Sequence, residues 1–170
     1  MIYARILSAM AVALGLTSGA ALAQTSPVPT GEVILTVSGA VPVTDVGNTM
    51  QFDMEMLQSL GETSFTTSTP WTDGQQTFTG VSLKTFIDHL EVQDGNLSAV
   101  AINDYKVDIP VSDAVAGGPI ITYMRNGEVM SVRDKGPLWI VYPFDSTEDY
   151  QAEVIYSRSI WQLDRIVVLE

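Results

Sequence analysis

Short runs of β-branched and aromatic residues, separated by glycine and polar turns, recur from residue 32 onward. Runs of this kind are typical of half-buried strands. They predict strands at residues 32–39, 62–69, 98–102, 105–109, 120–124, 129–132, 139–142 and 160–169. Asn126-Gly127 is a strong two-residue turn signal, so the flanking strands are expected to form a hairpin.

Two segments have helical spacing instead. Asp53 stands where an N-cap belongs, and a short helix follows with Leu57 and Leu60 facing inward until Gly61 ends it. Ser82 is a second N-cap, before a helix over 83–90 whose apolar residues recur at i, i+3, i+4 and i+7. These core-facing positions are Leu83, Phe86, Ile87 and Leu90. Residues 112–116 suggest one further helical turn, and 143–159 is a loop. The pattern predicts one α+β, strand-dominated domain over residues 32–170.

The first residues have the features of a secretory signal peptide. Arg5 provides a positive charge, residues 6–16 are mostly apolar, and residues 21–23 are a small-x-small cleavage site. We therefore predict a signal peptide at 1–23, an extended leader at 24–31 and a periplasmic or secreted protein. An uncleaved anchor is the alternative, but the apolar run is short for a membrane span. No membrane insertion is expected after cleavage.

Charge and cysteine content exclude several classes of function. The chain carries 20 acidic and 8 basic residues, for a net charge of −12. This balance argues against nucleic acid and anionic lipid as partners. With no cysteine, disulfides, thiolate metal sites and thiol catalysis are excluded. The single histidine, His89, has no Gly-x-Ser-x-Gly elbow beside it, which argues against a serine hydrolase.

Several short motifs occur in a characteristic order. They are Phe78-Thr79-Gly80-Val81-Ser82-Leu83, Asn103-Asp104-Tyr105 with Ile109-Pro110, Tyr123-Met124-Arg125-Asn126-Gly127, Gly136-Pro137-Leu138, and Trp161 with Leu163 and Ile166. Their order and spacing resemble the molybdopterin-binding domain of the sulfite oxidase family. The resemblance implies that family's fold over most of residues 33–169, and it makes molybdopterin a candidate cofactor.

Two departures from the family pattern bear on activity. In active members a cysteine thiolate ligates molybdenum, and by register that position falls near Thr67, ahead of Trp71. A threonine hydroxyl is a poor substitute, because it is neutral near pH 7 and its oxygen is harder than thiolate sulfur. Leu138-Trp139 also stands where larger relatives carry a basic residue. No metal ligand or catalytic residue is therefore assigned.

A retained cofactor site would need cations at its phosphate end and an aromatic ring against its flat part. Trp71, in a polar loop, is the candidate for stacking, and Thr67 replaces the thiolate. The candidates for the anionic end are Arg125, Asn126, Arg133, Lys135 and Arg158. Arg158 lies between Ser157 and Ser159, which suggests an anion cradle. The structural alternative is that these cations only offset an acidic surface and that the aromatic residues fill the core.

These observations favour an exported domain without normal molybdenum catalysis that binds a small ligand or a protein partner. One alternative is a molybdopterin-dependent oxidoreductase in which Thr67 or water replaces the thiolate. A second alternative is an extracytoplasmic sensor that partners a membrane protein.

Overall fold

The computed structural model describes residues 28–41 and 48–170, and it is a strand-dominated α+β domain, as predicted. The predicted signal peptide at 1–23 and residues 24–27 of the predicted leader lie outside the described residues. Within the described ranges, no helix is long and apolar enough to cross a membrane.

Ten strands and three α-helices make up the described fold. The strands are β1 (Leu35–Gly39), β2 (Thr49–Phe52), β3 (Thr63–Ser68), β4 (Gln75–Ser82), β5 (Asn96–Ala101), β6 (Lys106–Pro110), β7 (Ile120–Arg125), β8 (Glu128–Val129), β9 (Trp139–Val141) and β10 (Leu163–Leu169). The helices are α1 (Met54–Ser59), α2 (Leu83–His89) and α3 (Glu153–Arg158). Short 3₁₀ turns occupy Val111–Asp113, Val132–Asp134 and Glu148–Gln151.

The first sheet has the strand order β2-β1-β10-β5-β6. Its one parallel pair joins β1 to β10, and the other neighbours are antiparallel. Val37 and Ile166 are register partners in the parallel pair, and both are fully buried. The inward face of this sheet therefore forms one side of the core.

The second sheet has the order β3-β4-β7-β8, and β9 pairs with the other part of β7. Gly80 lies in β4 beside β7, where an added Cβ would come within 2.1 Å of the Ile121 carbonyl oxygen. Only glycine allows the two backbones to approach this closely. The second sheet contacts the connection before β10, where the Ile140 amide donates to the Ile160 carbonyl at 2.9 Å.

Both predicted helices begin at the predicted N-caps. The Asp53 carboxylate accepts from the Met56 amide, and the Ser82 hydroxyl accepts from the Thr85 amide. The four predicted core positions of α2 are all buried. Local capping and apolar spacing are therefore sufficient to specify these two elements.

Several predicted elements are wrong in detail. Residues 143–159 are not only a loop, because they contain α3, which buries only Ile155 and so has no apolar periodicity. The prediction also lacked β2 and β4. The strand predicted at 129–132 ends at Val129, and the turn predicted at 112–116 lies at Val111–Asp113.

The last strand begins later than predicted. It was expected at residue 160, but β10 begins at Leu163. Gln162 has a φ of +54°, which interrupts the extended backbone. Trp161 therefore belongs to the connection before the strand, where it makes an isolated bridge with Trp139.

Asp53 fastens the segment before β1 to α1. One carboxylate oxygen accepts from the Met56 amide at 2.9 Å, and the other accepts from the amides of Thr30 and Gly31 at 2.9 and 2.8 Å. The hydrogen bonds from Met56 and then Gly31 hold the pKa of Asp53 below its ordinary value. The ionised carboxylate thus stabilises the fold.

We expect Asp53→Asn to lower the melting temperature at pH 7, and Asp53→Ala to lower it further because the cap is lost as well. A lowered folded-state pKa gives stability that is present above the ordinary aspartate pKa of about 4. That stability is lost as pH falls through the folded value. The difference between wild type and Asp53→Asn should therefore shrink on acidification in melts followed by circular dichroism. A difference that stayed constant down to pH 2 would contradict this.

Candidate functional site

A pocket of about 410 Å³ lies where the β5–β6 turn, the β3–β4 loop and the connection from α3 to β10 meet. It is lined by Trp71, Ala101, Asn103, Tyr105, Tyr156, Ser157, Ser159, Ile160 and Trp161. Four of these residues are aromatic, and several others present polar atoms. Such a mixture of apolar surface and few polar groups is typical of small-molecule sites.

Trp71 lies at the centre of an aromatic cluster that also contains Trp139, Phe144, Tyr156 and Trp161. Its ring centroid is 5.6 Å from that of Trp161 and 5.9 Å from that of Trp139, both in edge contacts. Tyr156 and Phe144 contact it at 6.1 and 6.2 Å. Trp71 therefore packs against the core and lines the pocket at the same time.

The loop that carries Trp71 is held by its own threonines. The Thr69 hydroxyl accepts from the Trp71 amide at 3.1 Å and contacts the Thr72 hydroxyl at 2.8 Å. Local bonds of this kind favour turns over continued strand. The tryptophan is thus held at the end of the β3–β4 hairpin.

The inner side of the pocket is held by hydrogen bonds. Trp139 is completely buried, and its indole N–H donates to the hydroxyl and carbonyl oxygens of Ser159 at 3.2 and 3.3 Å. The Ser159 hydroxyl donates in turn to the Ile140 carbonyl at 2.6 Å. These bonds fix the connection that leads to Trp161.

Thr67 is fully buried and does not line the pocket. Its hydroxyl accepts from the Asp145 amide at 3.0 Å and donates to the Ser68 carbonyl at 3.3 Å. The Asp145 carboxylate accepts from the Ser68 hydroxyl and from the Ser68 amide at 2.7 Å. The hydrogen bond from the Ser68 hydroxyl is the main reason that the pKa of Asp145 is lowered. Thr67 therefore belongs to a clamp between β3 and the segment after β9.

Arg158 is paired with a carboxylate inside the domain. Its guanidinium lies 2.8 Å from a carboxylate oxygen of Asp113, and the Tyr142 hydroxyl donates to the same oxygen at 2.7 Å. Burial, followed by the hydrogen bond to Asp113, raises the pKa of Tyr142. The Ser159 hydroxyl donates to the Ile140 carbonyl and Arg158 is paired with Asp113, so a cradle of Arg158 with Ser157 and Ser159 stays a prediction.

Lys135 lies against the aromatic cluster. Its ammonium is 4.2 Å from the ring centroid of Trp161 and 5.5 Å from that of Trp139. Both distances are in the range of cation–π contacts. Arg133, in the preceding 3₁₀ turn, is exposed and has no charged partner in the described part of the chain.

Arg125 and Asn126 lie at the β7–β8 turn, apart from the pocket lining. The Asn126 side chain accepts from the Thr77 amide at 2.9 Å and donates to the Gln76 side chain at 2.7 Å. Arg125 is the register partner of Phe78 in β4. Asn126 therefore fastens this hairpin to β4. Of the seven candidate residues, only Trp71 lines the pocket.

Sequence reasoning missed Asn103, Tyr105 and Tyr156 as pocket residues. Tyr105 is 56% exposed, and its place in the pocket lining is visible only in the fold. Tyr156 lies on α3, which was not predicted. The Asn103-Asp104 turn signal was the one local indication of this part of the pocket.

Two of the residues at the expected cofactor positions are engaged within the chain. Thr67 offers no free hydroxyl, since both of its hydrogen bonds are made within the chain. Arg158, the cation nearest to Trp161 in sequence, forms an ion pair with Asp113. Within residues 28–41 and 48–170, no group of three histidine, cysteine, aspartate or glutamate side chains is arranged to hold a metal ion.

No protein-family model matches the chain, and no curated protein matches its sequence significantly. Among solved structures it is similar to a chain of the sulfane dehydrogenase SoxCD from Paracoccus pantotrophus, with a TM-score of 0.59 and 14% identity. The similarity covers 85% of this chain but 40% of the SoxCD chain, so this chain spans less than half of its length. At this identity the likeness shows a distantly similar fold and nothing about activity.

We expect Thr67→Val to destabilise the domain by about 1–2 kcal/mol, because it removes the acceptor of the Asp145 amide without changing side-chain size. Thr67→Ser should cost less, since it keeps the hydroxyl. The matched control is Thr66→Val, whose hydroxyl makes an exposed contact with Thr77 on the same strand pair. Urea unfolding measures all three variants. Equal stability of Thr67→Val and Thr66→Val would contradict the role assigned to Thr67.

Proposed function

We propose that this domain is an exported binding protein that holds a small planar ligand in the pocket beside Trp71, without molybdenum catalysis. The observation that carries the proposal is the pocket of about 410 Å³ with four aromatic side chains in its lining. Aromatic faces bind flat ligands through dispersion and stacking, and each aromatic contact contributes about 0.5–1.5 kcal/mol beyond area burial.

The surroundings of the pocket support binding because they are ordered before any ligand arrives. Trp71 is fixed by ring contacts and by Thr69, and the Ser159 connection is fixed by Trp139 and Ile140. A preformed pocket loses little conformational entropy on binding. The same fixed geometry supports selectivity for ligand shape.

The absence of a thiolate position supports the second part of the proposal. The sequence has no cysteine, and the Thr67 hydroxyl is buried in the clamp with Asp145. The likeness to SoxCD, whose name describes a dehydrogenase, favours as second candidate an oxidoreductase in which Thr67 or water replaces the thiolate. That candidate requires the Thr67 clamp to open, since the hydroxyl is now fully buried.

The proposal that the protein is exported rests on its first 23 residues. Their single charge, apolar run and small-x-small site are the three parts of a secretory signal. A role in the periplasm or outside the cell agrees with the strongly acidic composition, which favours solubility without binding to nucleic acid. The alternative is that the domain is a sensor that binds a membrane protein through its exposed surface.

The neutral probe 1-naphthamide is expected to bind the purified domain, as measured by ligand-detected nuclear magnetic resonance titration. Tyr105→Ala should weaken its binding about two- to tenfold, because one aromatic ring is removed from the pocket. Tyr105 is 56% exposed, so this change should leave the fold intact.

The matched control is Ile102→Ala in the same hairpin. Ile102 is 46% exposed and does not line the pocket, so its removal should not change the affinity. Equal affinity of wild type and Tyr105→Ala would contradict a ligand site in this pocket.

Protein purified from the exported fraction of its own host is expected to have the mass of a chain that begins at Gln24. Native mass spectrometry should show no added cofactor mass, and elemental analysis should show no stoichiometric molybdenum. One molybdenum per chain would instead support the oxidoreductase candidate. A chain that retains residues 1–23 would contradict cleavage of the predicted signal.

A further inference from the structure

The pocket lining contains no carboxylate, although the sequence has 20 acidic residues and only 8 basic ones. Its polar atoms come from amide, hydroxyl and indole groups. A cationic ligand would therefore find no opposite charge in the lining, and an anionic ligand would meet no direct repulsion there.

Two cations near the pocket are already neutralised. Arg158 is paired with Asp113 at 2.8 Å. Arg165 donates to the carbonyl of Ala101, a lining residue, but its guanidinium is paired with Asp104 at 2.7 Å and with Asp164 at 3.0 Å. Neither arginine has a free charge to offer a ligand.

Lys135 differs from both arginines. Its ammonium lies 4.2 Å from the ring centroid of Trp161, which lines the pocket, and it makes no ion pair within the described residues. The neighbouring carboxylate of Asp134 accepts a hydrogen bond from the Ser131 hydroxyl. Lys135 is thus a positive charge beside the pocket without a carboxylate partner.

The pocket also offers hydrogen-bond donors. The indole N–H groups of Trp71 and Trp161 have no acceptor in the described part of the chain, and neither belongs to its buried unpartnered groups. The side-chain oxygen of Asn103 already accepts from the Tyr105 amide at 3.2 Å, which leaves its amide N–H groups as donors. A ligand that accepts hydrogen bonds would satisfy these groups.

From these observations we infer that the pocket selects a planar aromatic carboxylate, whose ring lies among the aromatic side chains and whose charge is held by Lys135. This inference rests on the proposed function, since it names the chemical class of the ligand in the same pocket. The indole N–H groups donate to the carboxylate oxygens, and the ammonium of Lys135 supplies the opposite charge.

The test compares three probes with the same ring and different charge: 1-naphthoate, 1-naphthamide and 1-naphthylmethylammonium. Wild type should bind the carboxylate about fivefold more tightly than the amide, and the ammonium most weakly, because a partly exposed charge contact contributes modestly. Raising the salt concentration should reduce the preference for the carboxylate.

Lys135→Gln should abolish the preference for 1-naphthoate over 1-naphthamide, while Lys135→Arg should keep it. The control is Lys84→Gln, which removes the same charge from the exposed pair with Asp88 on α2 and should have no effect. Circular dichroism melts check that each variant is folded.

The outcomes separate the two proposals. If the amide or the ammonium binds as tightly as the carboxylate, the inference about charge is wrong and the planar-ligand pocket stands. A preference that persists in Lys135→Gln also overturns it. If none of the three probes binds wild type, both the inference and the proposed function are wrong.

Discussion

The ring of Trp71 touches four other aromatic rings that come from different parts of the domain. Trp139 belongs to the second sheet, Trp161 leads into the first, and Tyr156 lies on α3. Edge contacts between such rings are favourable and directional. The aromatic cluster therefore fixes the β3–β4 loop, α3 and the start of β10 relative to one another, and the pocket is the space that this arrangement leaves open.

Elements with a strong local signal were predicted well. Asp53 and Ser82 mark the starts of their helices because capping depends on residues a few positions apart. β2 and α3 lack such signals. β2 is extended because Met50 pairs with Val37 across the sheet, and α3 is held by the Tyr156 ring and the ion pair of Arg158. These interactions join residues far apart in sequence, so no local pattern reveals them.

The candidate site shows the same division. The positions of the family motifs identified Thr67 and Trp71 as candidates. Those positions carry no information about burial or hydrogen bonding. Only the fold shows that the Thr67 hydroxyl accepts a hydrogen bond from the Asp145 amide. Only the fold shows that Arg158 is paired with a carboxylate while Lys135 is not. For a cation, the tertiary partner decides its role, and a sequence does not reveal which carboxylate lies opposite it.

The position of β10 has a consequence for how the domain is assembled. This strand follows all the others in the chain, yet it lies in the middle of the first sheet, between β1 and β5. Before it is synthesised, β1 with β2 and β5 with β6 are two separate hairpin-like pairs with open edges, and pairs of that size are barely stable alone. Most of the chain therefore emerges before the first sheet can close, so β1 and β5 each keep one unpaired edge until the last residues arrive.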